Sequence, residues 1–193
     1  MKIVGVGCGP GLITEQAKHE LGNAEIVYGS DRAIDLARAY LPEHCEVRSI
    51  DDYKNLPALP DRGVILSTGD PMLAGLGYVK GTVIPGISSL QVAAARLHIP
   101  LSRVVVVVAH GHGHDQGIRE TAEEVKRDKI VFLLADPKFR VSDLYDQLAG
   151  LSLPIRVAVC ENLAYPGERI VSGPLSAPPF PASDLYCLVI GNF

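Results

Sequence analysis

The sequence predicts an α/β protein made of two α/β lobes with mostly parallel sheets. Three observations carry that prediction. Short apolar runs recur through the first half, each closed by Gly, Pro, Asp or Ser. Helical patterns fill the gaps between several of them, and such alternation of strand and helix is the signature of a parallel sheet covered by helices. The second half then opens with unbroken aliphatic stretches, RVVVVVAHG, KIVFLLAD and IRVAVCENL, which suit strands buried on both faces.

Taken in order, strands are expected at residues 2–6, 25–28, 47–50, 64–67 and 82–84, with helices at 12–21, 33–40 and 90–97. The segment HIPLSR around Pro100 is the boundary, because a new sheet starts directly after it, so the lobes are 1–99 and 100–193. In the second lobe the three aliphatic stretches are strands, and residues 143–149 belong to a helix between two of them. ERIVSGPL and DLYCLVIGNF read as a closing antiparallel strand pair, and the Pro-rich SAPPFPAS as a surface loop. No internal repeat is visible.

Composition excludes several function classes. With 193 residues, 47% hydrophobic and 21% charged, the chain can bury a core and is not a disordered tail. No apolar run approaches the ~18 residues of a membrane span, and the N-terminus enters a glycine-punctuated strand without a cleavage region. Cys8, Cys45, Cys160 and Cys187 are scattered with no CxxC pair, which fits a reducing cytoplasm better than a zinc site or a disulfide framework. A net charge of -4 and 6% aromatic residues give no support to a nucleic-acid surface.

Chemistry is expected where strands run into polar turns. The first strand enters GVGCGPG, but the dinucleotide fingerprint G-x-G-x-x-G fails there. Counted from Gly5 and Gly7 its third glycine is Pro10, and counted from Gly7 and Gly9 it is Leu12. The phosphate loop ending in Gly-Lys-Ser/Thr is missing from the sequence. The fourth strand ends in Thr68-Gly69-Asp70-Pro71 before a helix start. The fifth ends in VIPGISSLQVAAARL, where Pro85-Gly86 turns and Ser88 or Ser89 caps the next helix. Both turns close strands of one parallel sheet, whose carboxyl edge is where open α/β sheets take ligands, so they are expected at one crevice. In AHGHGHD a strand would align His110, His112 and His114 for Zn²⁺ or Ni²⁺, but the interleaved glycines favour a mobile loop on the substrate side, and no metal site is expected. Within CENLAYPGERIVSG, Pro166-Gly167 reads as a hairpin turn with Glu168 and Arg169 facing solvent.

The order of VGVGCGPGLIT, LSTGDPMLAGLG, VIPGISSLQVAAARL, AHGHGHD, FLLADPKF and ENLAYPGERIVSG resembles the tetrapyrrole (corrin/porphyrin) methyltransferases over essentially the whole chain. The GDP and PGISS turns mark the family. HGH, LADPKF and ENLAYPGERI resemble the subgroup that methylates cobalt-precorrin-7 at C5 in anaerobic cobalamin biosynthesis. What this implies is an S-adenosyl-L-methionine-dependent enzyme with the tetrapyrrole methylase fold, the cofactor folded between the lobes, a cobalt-precorrin (tetrapyrrole) substrate and a homodimer. By matching position, Gly69, Asp70, Leu73, Ser88, Ser89, Leu134 and Leu163 are implied to hold the cofactor. Gly7, Cys8, Gly9 and Pro10, together with His110 and His112, are implied to border the substrate, and the two histidines are the candidates for catalytic help. Members of the subgroup are often fused to a domain that methylates and decarboxylates at C15, so a separate C15-methyltransferase/decarboxylase partner is implied as well. Two departures stand out: Cys8 replaces the family's proline with a loop one residue short behind it, and the 70–85 segment is compact, so its helix must be brief. Methylation at another ring carbon, a diphthine-type methyltransferase and a non-catalytic adenosyl-ligand binder remain open alternatives.

Overall fold

The central apolar runs of the first half, residues 3–5, 26–29 and 64–67, form buried strands, whereas the run at 46–49 is exposed and that at 82–84 only partly buried. A computed structural model describes residues 1–50, 56, 59, 62–73, 75–110 and 113–193, and divides the chain into two units, Met1–Ser89 and Leu90–Phe193. The first unit contains β1 (Lys2–Gly5), α1 (Glu15–Gly22), β2 (Ile26–Gly29), α2 (Asp31–Ala37), β3 (Glu46–Ser49), β4 (Val64–Ser67) and β5 (Thr82–Ile84). Its five strands form one all-parallel sheet in the order β3-β2-β4-β1-β5. Strand periodicity divides the core. Val4, Val6, Val64 and Leu66 pack with Ala17, Leu21, Ala33 and Ile34 on the helix-covered face. Ile3 and Ile65 point the other way and pack with Leu56, Leu76 and Val79.

Local capping sets where the helices begin. Thr14 accepts the Ala17 N–H at 3.1 Å, so α1 starts at Glu15 rather than at Leu12. Ser30 does the same for Ala33 at 3.3 Å and starts α2. Each such cap contributes about 1 kcal/mol. The helix expected directly after Asp70 is not formed among the described residues, where turns follow one another instead. Gly75, at φ +82°, is one reason that helical geometry cannot propagate.

The second unit contains α3, which begins at the junction (Ser89–Leu97), β6 (Val104–Ala109), α4 (His114–Lys126), β7 (Ile130–Ala135), α5 (Val141–Ala149), β8 (Arg156–Glu161), β9 (Arg169–Pro174) and β10 (Tyr186–Gly191). Its sheet runs β6-β7-β10-β8-β9, with β6 parallel to β7 and every other pairing antiparallel. The division falls after Ser89, the first residue of α3, and Leu90 and Ala94 of that helix line an apolar hollow with Ile99, Val104, Phe132 and Val189. On the opposite face, Ile118, Ala122 and Val125 of α4 and Leu144 and Leu148 of α5 pack against Val107, Val131, Leu133, Val157 and Leu188.

Two expectations for this unit need correction. β9 and β10 do not pair with each other: both flank β8, and β10 inserts between β7 and β8. The end of AHGHGHD, His114 and Asp115, opens a helix that runs to Lys126 rather than continuing a mobile loop. Its apolar positions were in the sequence at helical spacing (Ile118, Ala122 and Val125), diluted by charged residues on the outer face.

Candidate active site

At the carboxyl edge of the first sheet, three turns are stitched together by main-chain bonds. β1 continues as Val6, whose N–H donates to Ser67 O at 2.9 Å. Gly7, at φ +81°, then forms a bridge with Gly69, whose N–H donates to Gly7 O at 2.8 Å. The Cys8 N–H donates to Ile87 O at 2.9 Å, which ties the glycine loop to the PGISS turn. The approach is too close for side chains: a Cβ on Gly5 would lie 2.6 Å from Gly86 N and 2.7 Å from Gly69 O. Of the loop residues, Gly7 and Gly9 are buried, Cys8 is half-buried and Pro10 is exposed.

Asp70 locks this arrangement. One carboxylate oxygen, Oδ1, accepts the N–H groups of Met72 at 2.8 Å and Leu73 at 3.4 Å, while Oδ2 accepts the Gly86 N–H at 3.0 Å. A single side chain thus closes its own turn and holds the next strand's turn beside it. Ser88 is buried just before α3, and Ser89 opens that helix half-buried. A Cβ at Gly69 would meet Ser88 Cα at 3.6 Å and Cys8 Cβ at 3.9 Å, ordinary contact distances, so Gly69 sits where all three turns meet. Main chain at φ +72° is a conformation that favours glycine at this position.

The carboxyl edge of the β6–β7 pair carries the second group of residues. His110 follows β6 and is exposed, and its carbonyl accepts the Gly113 N–H at 3.3 Å. His112 lies outside the described residues. His114, the first residue of α4, has a fixed partner: its Nε2 is 2.9 Å from Asp136 Oδ2, and its ring meets Phe139 edge-on at 5.5 Å. Asp136 is itself oriented, with Oδ1 accepting the Lys138 N–H at 2.8 Å and its carbonyl accepting the Tyr186 hydroxyl at 3.3 Å. Burial, followed by the negative charges of Asp136 and Asp184, pushes the Tyr186 phenol above its ordinary range. Sequence spacing did not reveal the His114–Asp136 pair, because 22 residues and a whole helix separate its members. Among the described residues no cluster of His, Cys, Asp or Glu is arranged to hold a metal ion.

Leu134 is half-buried on β7, and Leu163 is buried in the segment after β8. Leu163 sits between two residues in left-handed backbone, Asn162 at φ 48° and Ala164 at φ 65°. That geometry is unfavourable for alanine and is held by Glu168, which accepts the Ala164 N–H at 2.7 Å and pairs with Arg96 at the same distance. Glu168 and Arg169 therefore do not simply face solvent. Arg169 pairs with Glu161, whose other oxygen accepts the Ala182 and Ser183 N–H groups and so anchors the Pro-rich loop. Burial alone would raise the Glu161 carboxyl, but the Arg169 and backbone hydrogen bonds outweigh it and hold it below the ordinary range.

Two α/β units, one with an all-parallel sheet ending in stitched glycine turns and one with a mixed sheet, are also found in known proteins. A protein of Methanocaldococcus jannaschii named as a probable cobalt-precorrin-7 C(5)-methyltransferase is 30% identical over 86% of this chain and 85% of its own length. The crystal structure of a precorrin-6Y methylase of cobalamin biosynthesis from Archaeoglobus fulgidus superposes with a TM-score of 0.77 at 31% identity, covering 100% of this chain and 98% of the other. At 22% identity the fold is shared with a uroporphyrin-III C-methyl transferase from Thermus thermophilus solved with S-adenosyl homocysteine, with a TM-score of 0.69 over 98% of this chain and 96% of the other. The sequence pattern of the tetrapyrrole (corrin/porphyrin) methylases runs through residues 2–179, GDP turn and PGISS turn included, and the chain belongs to that family.

Proposed function

We propose that this protein transfers a methyl group from S-adenosyl-L-methionine to C5 of cobalt-precorrin-7 in cobalamin biosynthesis. The observation that carries the reading is the three-turn constellation at the first sheet's carboxyl edge, in a chain about 30% identical to a relative named for that reaction. Gly69, Asp70, Leu73, Ser88 and Ser89 would hold the cofactor from the first unit, and Leu134 and Leu163 would line its adenosine from the second. Gly7, Cys8, Gly9, Pro10 and His110, with His112, would border the corrin.

Bound there, the cofactor supplies an electrophilic methyl group that needs no further activation. The protein's own task is to present it in line with the electron-rich meso carbon and to keep water away, which can be worth ~7–11 kcal/mol. Asp70 serves that task by freezing two turns against each other through backbone amides that would otherwise flex. The proton lost from the methylated carbon is acidified by conjugation with the ring nitrogens, so a modest acceptor such as a histidine suffices.

Titration with S-adenosyl-L-methionine and S-adenosylhomocysteine, on the wild type and Asp70→Ala, tests the cofactor site. Saturable binding near one equivalent is expected, weakened roughly tenfold or more in the variant, the scale of a lost charge-assisted bond. Incubation with cobalt-precorrin-7 and localisation of the new methyl by NMR then tests the ring position. No binding of either ligand by folded protein defeats the reading. In the same assay, His110→Ala/His112→Ala with turnover kept within about threefold would remove both histidines from the proton step, since general acid–base help is typically ~10²–10⁴-fold.

A further inference from the structure

Among the described residues, the first sheet's carboxyl edge is poor in positive charge. The stretches that follow β1 (residues 6–14), β4 (68–79) and β5 (85–89) contain no Lys or Arg. Lys80 directly precedes β5, whose Thr82 N–H donates to Met1 O, so it belongs to the opposite edge, as does Arg62 before β4. Arg48 lies within β3 and is paired with Glu46. Among the described residues that leaves Arg32, at the end of β2, as the cation of this edge.

Among the described residues, no carboxylate pairs with that charge. The guanidinium does not pair with Asp31 or Asp70, the described carboxylates of this edge. Asp31 accepts the Ser49 hydroxyl at 2.9 Å, and Asp70 is occupied by three backbone N–H groups. Arg32 instead reaches across to β4 and donates from Nη2 to Thr68 Oγ1 at 3.1 Å. Thr68 immediately precedes Gly69, so the guanidinium is fastened to the same turn that Asp70 locks. An arginine in the first turn of a helix gains nothing from the helix dipole, which disfavours cations there. A neutral hydroxyl satisfies only part of a five-donor fork, and the remaining donors are of the kind that grip a carboxylate in two-point fashion.

We propose that Arg32 is a substrate-specificity residue that binds a peripheral carboxylate of the tetrapyrrole and sets the macrocycle's position against the Thr68–Asp70 turn. The inference deepens the functional reading above and rests on it for the identity of the macrocycle. It predicts that this edge distinguishes carboxylate-bearing rings from neutral ones, although the whole chain carries a net charge of -4.

The test uses two tetrapyrroles, one cofactor-product control and three variants of the full chain. Uroporphyrin, a stable octacarboxylate, is titrated by fluorescence, and KM for cobalt-precorrin-7 is measured in parallel, with S-adenosylhomocysteine affinity as the control. For Arg32→Gln, uroporphyrin affinity is expected to fall, and KM to rise, by roughly tenfold. Arg32→Lys should recover part of the loss, and S-adenosylhomocysteine affinity should stay within about twofold of wild type. Arg38→Gln removes another exposed charge, one paired with Asp35, and should leave uroporphyrin affinity unchanged. Arg32→Gln with wild-type uroporphyrin affinity and KM would overturn the inference. A wild type that binds uroporphyrin through Arg32 but does not methylate cobalt-precorrin-7 would defeat the functional reading and leave the inference standing. If uroporphyrin does not bind, KM alone decides, and a wild type that neither binds one ring nor methylates the other overturns both.

Discussion

Gly5 and Gly86 are needed for closeness rather than for flexibility. Neither has left-handed backbone, yet a methyl group on Gly5 would press on Gly86 N and Gly69 O, main-chain atoms that cannot swing aside. Gly5→Ala is therefore expected to destabilise the fold by about 1–3 kcal/mol, the usual cost of overpacking, read from the urea midpoint. It should also weaken S-adenosylhomocysteine binding by spreading the turns. Gly11→Ala is the contrast: its added carbon meets open space, so only the strain of φ +79° acts, and ligand binding should survive. At this scale the polar turns were legible because Gly-Asp-Pro and Pro-Gly-Ile-Ser-Ser carry turn chemistry in adjacent residues. The Asp70–Gly86 bond was not, since its ends are sixteen positions apart with a strand between them.

Elements were legible where their apolar period was undiluted, as in β4 and β5, whose bounds follow directly from VILS and TVI. α4 was hidden by its own composition. A narrow buried stripe of Gly117, Ile118, Thr121, Ala122 and Val125 lies beneath a charged outer surface, and histidine–glycine alternation just upstream suggested a loop. Its docking depends on Gly117, where an added Cβ would lie 2.7 Å from Ala109 Cβ on β6. Gly117→Ala sets a gain in helix propensity of about 1 kcal/mol against that collision. The collision should prevail, because both atoms sit on rigid elements: net destabilisation of about 1 kcal/mol is expected in urea titrations, together with a disturbed His114–Asp136 contact visible in the histidine NMR signals. Were Gly117→Ala more stable than wild type, the helix would be shown to have room to slide.

For the whole molecule, two acidic groups dominate the expected response to pH. Glu161 is 1% exposed and sits below its ordinary value of 4.5 in the folded chain, despite burial, through Arg169 and two backbone N–H groups. Glu168 is lowered as well, by Arg96 first and by the Ala164 N–H next. A carboxyl that is more acidic when folded stabilises the fold fully above its unfolded pKa, and that contribution is lost as pH falls through the folded one. Stability should thus hold above about pH 4.5 and decline below it. Glu161→Gln should lower the urea midpoint at pH 7 by the equivalent of about 2–4 kcal/mol, since two buried donors and an arginine lose their charged acceptor. It should also flatten the decline between pH 5 and 3, and a variant with an unchanged acid limb would exclude Glu161 as its source. Fold class was readable at this scale because alternation and composition are global signals. The order of the second sheet was not, because hydrophobic pattern marks strands as buried without naming their neighbours.

That order also bears on how the chain is made. β10 comes after every other strand in the sequence, yet it occupies the middle of its sheet with β7 on one side and β8 on the other. While a ribosome is still translating, β7 and β8 must wait with open edges and no shared partner, and β8–β9 exists only as a loose hairpin. The first unit has no such delay, since all five of its strands lie within Met1–Ser89. Synthesis should then yield a finished amino-terminal half beside a carboxy-terminal half that closes in one late step, and the interval between the two is when nascent chains are most exposed to proteases and to each other.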